Sequence, residues 1–162
     1  MLTGTDGLEH SLVNLTKAKP TIIIFYRGKW CGSCITHFSE EIAPIATEIS
    51  NLGYNILAIS PDMPDTLVKT AQKVKLNPSI FYSDGAGALS TAMGVAFQQQ
   101  ERMLATISSY LGGKNKGYLP VPGVYILSTD QKIIFEYINQ NGPSAALRIK
   151  GKLLLVVLEA LK

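Results

Sequence analysis

The chain has two cysteines, and they stand together as Cys31-Gly32-Ser33-Cys34. A thiolate is the attacking form of cysteine. With two residues between them, Cys34 can meet Cys31 within one helical turn, so a bond that Cys31 forms to another sulfur can be resolved inside the motif. A disulfide-stapled secreted scaffold would scatter several cysteines along its length. A lone C-x-x-C at a strand-to-helix turn points instead to thiol–disulfide chemistry. Three features favour a reactive Cys31. The free N–H groups of a helix start stabilise an anion, Lys29 adds positive charge nearby, and Gly32 leaves the sulfur open. These features predict that Cys31 is the more exposed thiol with the lower pKa.

His37, three residues beyond Cys34, falls on the same helical face, and its imidazole titrates in the range useful for proton transfer. Cys31, Cys34 and His37 are therefore the catalytic candidates. Blander readings stand beside them. The pair could be an inert buried dithiol, and His37 an ordinary helix residue. Cys31, Cys34, His37 and His10 also have the donor types of a tetrahedral zinc site, although His10 would have to fold over from an unrelated segment. Ser33 reads as a spacer, Asp62 and Asp65 as turn and cap residues, and Phe25, Tyr26, Phe81 and Tyr82 as core.

The motif must sit on a scaffold. Thr21 to Tyr26 is a continuous β-branched and aromatic run, as expected of a parallel strand covered on both faces. Asn55 to Ser60 is a second such run. Between them Ile35, Phe38, Ile42, Ile45, Ile49 and Leu52 recur at helical spacing, Pro44 should kink or split that helix after Ala43, and Gly53 should stop it. The unit is a βαβ crossover. Further along, the pattern predicts a helix from about Asp65 to Leu76 and a strand over Ser79–Tyr82. Helices follow over Ala86–Val95 and Gln98–Leu111, then a hairpin of Val124–Ser128 with Ile133–Ile138, and a last helix near 151–161. The segment before Thr21 reads as a small hairpin. The order predicts one α/β domain over residues 1–162, with a mixed central sheet flanked by helices on both faces.

Composition excludes several classes. Of 162 residues, 46% are apolar and 17% charged, and the net charge of +3 is not gathered into a basic stripe, which argues against nucleic-acid binding. The longest apolar runs fall far short of the roughly 20 residues of a membrane helix. The N-terminus lacks the pattern of a secretory signal, so a cytoplasmic location is the expectation. No Rossmann G-x-G-x-x-G occurs, and sulfur itself can carry the electrons, so no cofactor and no metal is expected.

The block Phe25-Tyr26-Arg27-Gly28-Lys29-Trp30-Cys31-Gly32-Ser33-Cys34 resembles the F-Y-R-G-x-W-C-x-x-C block of the alkyl hydroperoxide reductase/thiol-specific antioxidant (AhpC/TSA) group, peroxiredoxin-like members with a thioredoxin-type C-x-x-C. The likeness continues through Ala58-Ile59-Ser60-Pro61, Tyr82-Ser83-Asp84-Gly85 and Leu119-Pro120-Val121-Pro122, and on to Leu147-Arg148. It implies a thioredoxin fold, with Cys31 as nucleophile and Cys34 as resolving thiol. Trp30, Val121 and Pro122 would form an apolar rim for substrate, and the Val121–Pro122 bond would be cis, facing the motif. The chain also departs from the peroxiredoxin pattern. Gly28 stands where a Thr or Ser precedes the peroxidatic cysteine by three residues, and Pro122 stands where an arginine is usual. Arg27, Arg102 and Arg148 are the candidates to replace that arginine. Where similar proteins carry Glu, this chain has His37.

The leading expectation is therefore a thiol–disulfide oxidoreductase acting on protein or low-molecular-weight disulfides, supplied with electrons by another thiol protein. Thiol-dependent peroxide reduction is the alternative, and a non-catalytic thioredoxin-like binding module a third. With no hydroxyl at position 28, peroxide is expected to be the poorer substrate.

Overall fold

The computed structural model describes residues 1–111, 115–138 and 159. Its centre is strand β3 (Thr21–Phe25), whose residues are all buried. Ile22, Ile24 and Tyr26 point into one core with Phe38, Ile42, Ile49 and Leu67. Ile23 and Phe25 point into the other with Leu57, Ile59 and Tyr125. This period-2 division explains why the strand reads as an unbroken apolar run.

β3 pairs in parallel with β4 (Asn55–Ser60) and antiparallel with β8 (Gly123–Leu127). β4 pairs in parallel with β5 (Phe81–Ser83), and β9 (Ile133–Ile138) completes the β8 hairpin. The expected N-terminal hairpin is present as β1 (Leu2–Gly4) and β2 (Glu9–His10), which extends the sheet beyond β5. The seven strands run β2-β1-β5-β4-β3-β8-β9, with helices packed on both faces of the sheet, among them α1 (Leu12–Thr16), whose Leu12 and Leu15 meet the second core.

Pro44 splits the helix after the motif. It begins as α2 (Gly32–His37), widens into a π turn over Phe38–Ile42, tightens into a 3-10 turn over Ala43–Ile45, and resumes as α3 (Ala46–Asn51). Proline lacks an N–H and its ring crowds the carbonyl four residues back, so the ladder must change pitch here. Gly53 at φ +87° ends α3, as expected.

Other boundaries differ from expectation. Met63, not Asp65, is the N-cap of α4 (Pro64–Val74), because Pro64 takes the first helical position, which its fixed φ suits. Residues 78–80 form a 3-10 turn, which delays β5 to Phe81. Helix α5 is shorter than its pattern, Ala88–Ala92, and Asp84 accepts the N–H groups of Leu89 and Ser90 at its start. The expected helix from Gln98 begins only at Glu101 (α6, Glu101–Ile107), because Ala96–Gln98 (β6) pairs with Tyr118–Pro120 (β7). That pairing spans some twenty residues and leaves no local period. The expected last helix lies, apart from Glu159, outside the described residues. Among the described residues no helix is long and apolar enough to cross a membrane.

Phe38 closes the floor beneath the motif. Its ring centroid lies 5.0 Å from that of Tyr26 and 5.7 Å from that of Phe81. Phe38→Ala is expected to lower unfolding free energy by about 3–5 kcal/mol, the usual effect of removing a buried aromatic ring, read from urea denaturation midpoints.

Candidate active site

β3 ends at Phe25, and the chain turns through Arg27–Trp30 before Cys31 begins α2 as its N-cap. Cys31 and Cys34 are joined as a disulfide, with Cα atoms 5.3 Å apart. The expected difference in exposure is absent. Cys31 is 3% exposed and Cys34 4%, because the turn and the helix cover both sulfurs.

What separates the two is the set of donors on Cys31 Sγ. The Cys34 N–H points at it from 3.4 Å, the Ser33 hydroxyl lies 3.4 Å away, and the Arg27 guanidinium donates from Nη2 at 3.3 Å. Opening the disulfide would leave a sulfur anion facing a cation and a helix-start amide, which favours thiolate at Cys31. Ser33 is thus more than a spacer. Lys29 is not the cation at the sulfur. Its Nζ lies 5.9 Å from the centre of the Tyr110 ring. Arg27 is the arginine at the site. Arg102 is exposed on α6 and Arg148 lies outside the described residues. The Arg27 Cζ sits 5.3 Å from the centre of the Trp30 ring, a cation–π contact that steadies the guanidinium.

Gly28 explains the missing hydroxyl. Its φ is +135°, a conformation side chains rarely adopt, and a Cβ there would lie 2.6 Å from Asp62 Oδ1 and 2.9 Å from Trp30 Nε1. The space that a Thr would need is filled. Asp62, read from the sequence as a turn residue, is 0% exposed and its Oδ2 accepts the Lys29 N–H at 2.7 Å. Burial is the main cause that pushes its carboxyl up to about 7, against the Lys29 N–H bond, the Ser60 hydroxyl and the Lys29 charge, which lower it. The sequence signal for this residue was an acid two positions beyond the strand that carries the apolar run 56–59.

His37 and Pro122 do reach the motif. With Cys34, Tyr26 and Phe38 they line one narrow apolar crevice. His37 is buried, with Nδ1 3.5 Å from Glu41 Oε2. Pro122, however, is trans, since the described residues contain no cis peptide, and it is buried rather than part of a rim. The antiparallel register of β8 on β3 starts at Gly123 opposite Phe25 and brings Pro122 to the crevice without a cis bond. Val121 is half-buried against the second core, held by its N–H on the Val95 carbonyl at 2.7 Å. Trp30 alone of the three expected rim residues lies in the turn beside Cys31. The zinc alternative is not assembled. His10 bonds to Asp6 and stacks edge-on with Tyr82, and no three His, Cys, Asp or Glu residues form a metal-ligating group among the described residues.

The AhpC/TSA family model matches residues 1–136. The chain belongs to the AhpC/TSA family. The match stops short of Leu147-Arg148. No curated protein sequence matches the chain significantly. Solved structures similar to this fold include peroxiredoxins. Peroxidoxin BcpB of Mycobacterium tuberculosis is 17% identical, with coverage of 100% of this chain and 93% of that one and a TM-score of 0.73. Prx3 of Vibrio vulnificus, reduced and complexed with hydrogen peroxide, is 12% identical over 96% and 92% of the two chains, with a TM-score of 0.76. Bacterioferritin comigratory protein of Xanthomonas campestris is 16% identical over 98% and 87%, with a TM-score of 0.71. The likeness establishes a thioredoxin-type peroxiredoxin fold.

Two measurements test this geometry. Arg27→Met should raise the Cys31 thiol pKa and slow alkylation of the reduced protein at pH 6 by about tenfold, the effect of losing about 1.4 kcal/mol of thiolate stabilisation. Asp62 governs a stability profile. Its folded-state pKa lies above the ordinary 3.8, so the folded protein keeps a proton that the unfolded chain releases. Its contribution is full below about pH 4 and lost as pH rises through about 7. The denaturation midpoint should fall across that window in the native protein, and Asp62→Asn should flatten the fall.

Proposed function

We propose that the chain is a thiol-dependent peroxidase in which Cys31 is the peroxidatic thiolate and Cys34 the resolving thiol, the whole chain acting as one domain. The observation that carries this reading is the Arg27 guanidinium on Cys31 Sγ at 3.3 Å. A cation at that point favours the thiolate and can meet the negative charge that develops on the leaving oxygen. Membership of the AhpC/TSA family and the peroxiredoxin folds of the similar structures support peroxide over disulfide as the oxidant.

The Cys31 thiolate attacks one oxygen of a hydroperoxide. An S–O bond forms, the O–O bond breaks, and the departing alkoxide or hydroxide takes a proton to leave as alcohol or water. Cys34 then attacks the Cys31 sulfenic acid. The new S–S bond releases water, and the disulfide state described above results. Two electrons from an external thiol pair, which itself becomes a disulfide, return Cys31 and Cys34 to thiols. In this reading His37, buried beside Cys34, holds the proton that Cys34 gives up, while Trp30 and Pro122 wall the site.

One observation favours the other reading, disulfide exchange. Gly28 supplies no hydroxyl to hold a peroxide in line, and Asp62 and Trp30 leave no room for one. Stopped-flow rates for the reduced protein with hydrogen peroxide, an alkyl hydroperoxide and a model disulfide separate the two. Peroxide reduction predicts a rate with one of the peroxides orders of magnitude above that of free cysteine, lost in Cys31→Ser. A peroxide rate near that of free cysteine beside fast disulfide reduction would establish the exchange reading instead.

A further inference from the structure

Behind the Arg27–Trp30 turn lies a buried acid that the peroxide and disulfide schemes leave unused. Asp62 follows β4, where its own N–H donates to Ser60 Oγ at 3.3 Å. It also ties the site to the segment after α6, through a backbone bridge to Leu111 and the Met63 N–H on the Tyr110 carbonyl. Oδ2 accepts the Lys29 N–H, while Oδ1, pressed against Gly28, is buried with no hydrogen-bond partner among the described residues. The titratable and charged groups facing it are Tyr26 from the end of β3 and Lys29 from the turn, whose ammonium reaches toward Tyr110 after α6. No ion pair reaches the carboxylate among the described residues. A neutral Asn could accept the same N–H at far lower desolvation cost. A charge-capable group kept there at the expense of stability indicates work in the site.

We propose that Asp62 is a positioning residue for Cys31: its carboxylate, through the Lys29 N–H, holds the Arg27–Trp30 turn in the shape that lays the Arg27 guanidinium on the Cys31 sulfur, and protonation loosens that hold. The inference rests on Cys31 being the reactive thiol of the proposed function and is indifferent to the oxidant. The turn is also held by the Cys31 N–H on the Gly28 carbonyl at 3.1 Å and by Trp30 packed against the first core. Gly28 contributes no side chain, and Arg27 and Trp30 clasp each other. A charge-assisted bond is about twice as strong as a neutral one, so losing the charge weakens the tie that the Asp62 side chain makes from the β4 loop to the turn. With the carboxyl titrating near 7, the loosening falls between pH 6 and 8. Reactivity corrected for thiolate fraction should rise with pH through that range. An ionised Asp62 would also repel the thiolate, and that effect has the opposite sign.

The test is the pH profile of iodoacetamide labelling of the fully reduced protein, with the labelled cysteine identified by mass spectrometry, in the native chain, Asp62→Asn and Asp62→Ala. Denaturation midpoints verify that each variant is folded. The native profile should show an inflection near pH 7 besides that of the thiol. Asp62→Asn should lose it and react about fivefold more slowly at pH 8, the order expected when a charge-assisted hydrogen bond becomes a neutral one. Asp62→Ala should be slower again. Superimposable native and Asn profiles would overturn the proposal, as would a faster Asn variant with a lower thiol pKa, which would make Asp62 a repelling charge. If the Ala variant does not fold, the Asn comparison decides alone. A failure of the Cys31 reading looks different: labelling would then fall on Cys34 and persist in Cys31→Ser.

Discussion

Burial of β3 from both sides is the constraint on which the site depends. A strand with apolar side chains on each face cannot slide by one residue without reversing which of them meet which core. Its register with β4 and β8 is therefore fixed, and so is the point at which the chain leaves the sheet. From that point only a short turn leads from Phe25 to the helix that starts at Gly32. The position of Cys31 is in this sense set by hydrophobic packing well below it. The aromatic trio of Tyr26, Phe38 and Phe81 transmits that packing to the C-terminal end of α2.

Above this rigid base the chemistry is arranged by polar contacts of short reach. Arg27, Ser33 and the Cys34 N–H converge on one sulfur, whereas Cys34 sits deeper in the apolar crevice with His37 and Pro122. The asymmetry of the dithiol thus comes from its surroundings, since the two cysteines are equally covered. The chain shares its fold with the AhpC/TSA family to which it belongs, while Gly28 marks where it departs from the peroxiredoxin pattern.

Much of this was legible in the residues. The continuous apolar runs marked both central strands, Pro44 and Gly53 marked the break and the end of the helix between them, and the isolated C-x-x-C marked the candidate site. What escaped has a common cause. The identity of the cation at the sulfur depends on which way two neighbouring side chains turn, and sequence distance cannot choose between Arg27 and Lys29. Asp62 meets Lys29 across thirty-three residues, and β6 meets β7 across a loop, so neither leaves a periodic trace. The cis Val121–Pro122 bond came from the resemblance alone. The trans bond is accommodated because the strand pairing already delivers Pro122 to the crevice.

The crowding at Gly28 also constrains how such a sequence can diverge. With φ at +135°, a carboxylate on one side and an indole on the other, position 28 resists a side chain on two counts, backbone strain and crowding. A hydroxyl residue at this point would need a different path of the turn backbone as well as room beside Asp62 and Trp30. The absence of the hydroxyl is therefore built into the route by which the chain leaves the sheet, and not into its neighbours alone.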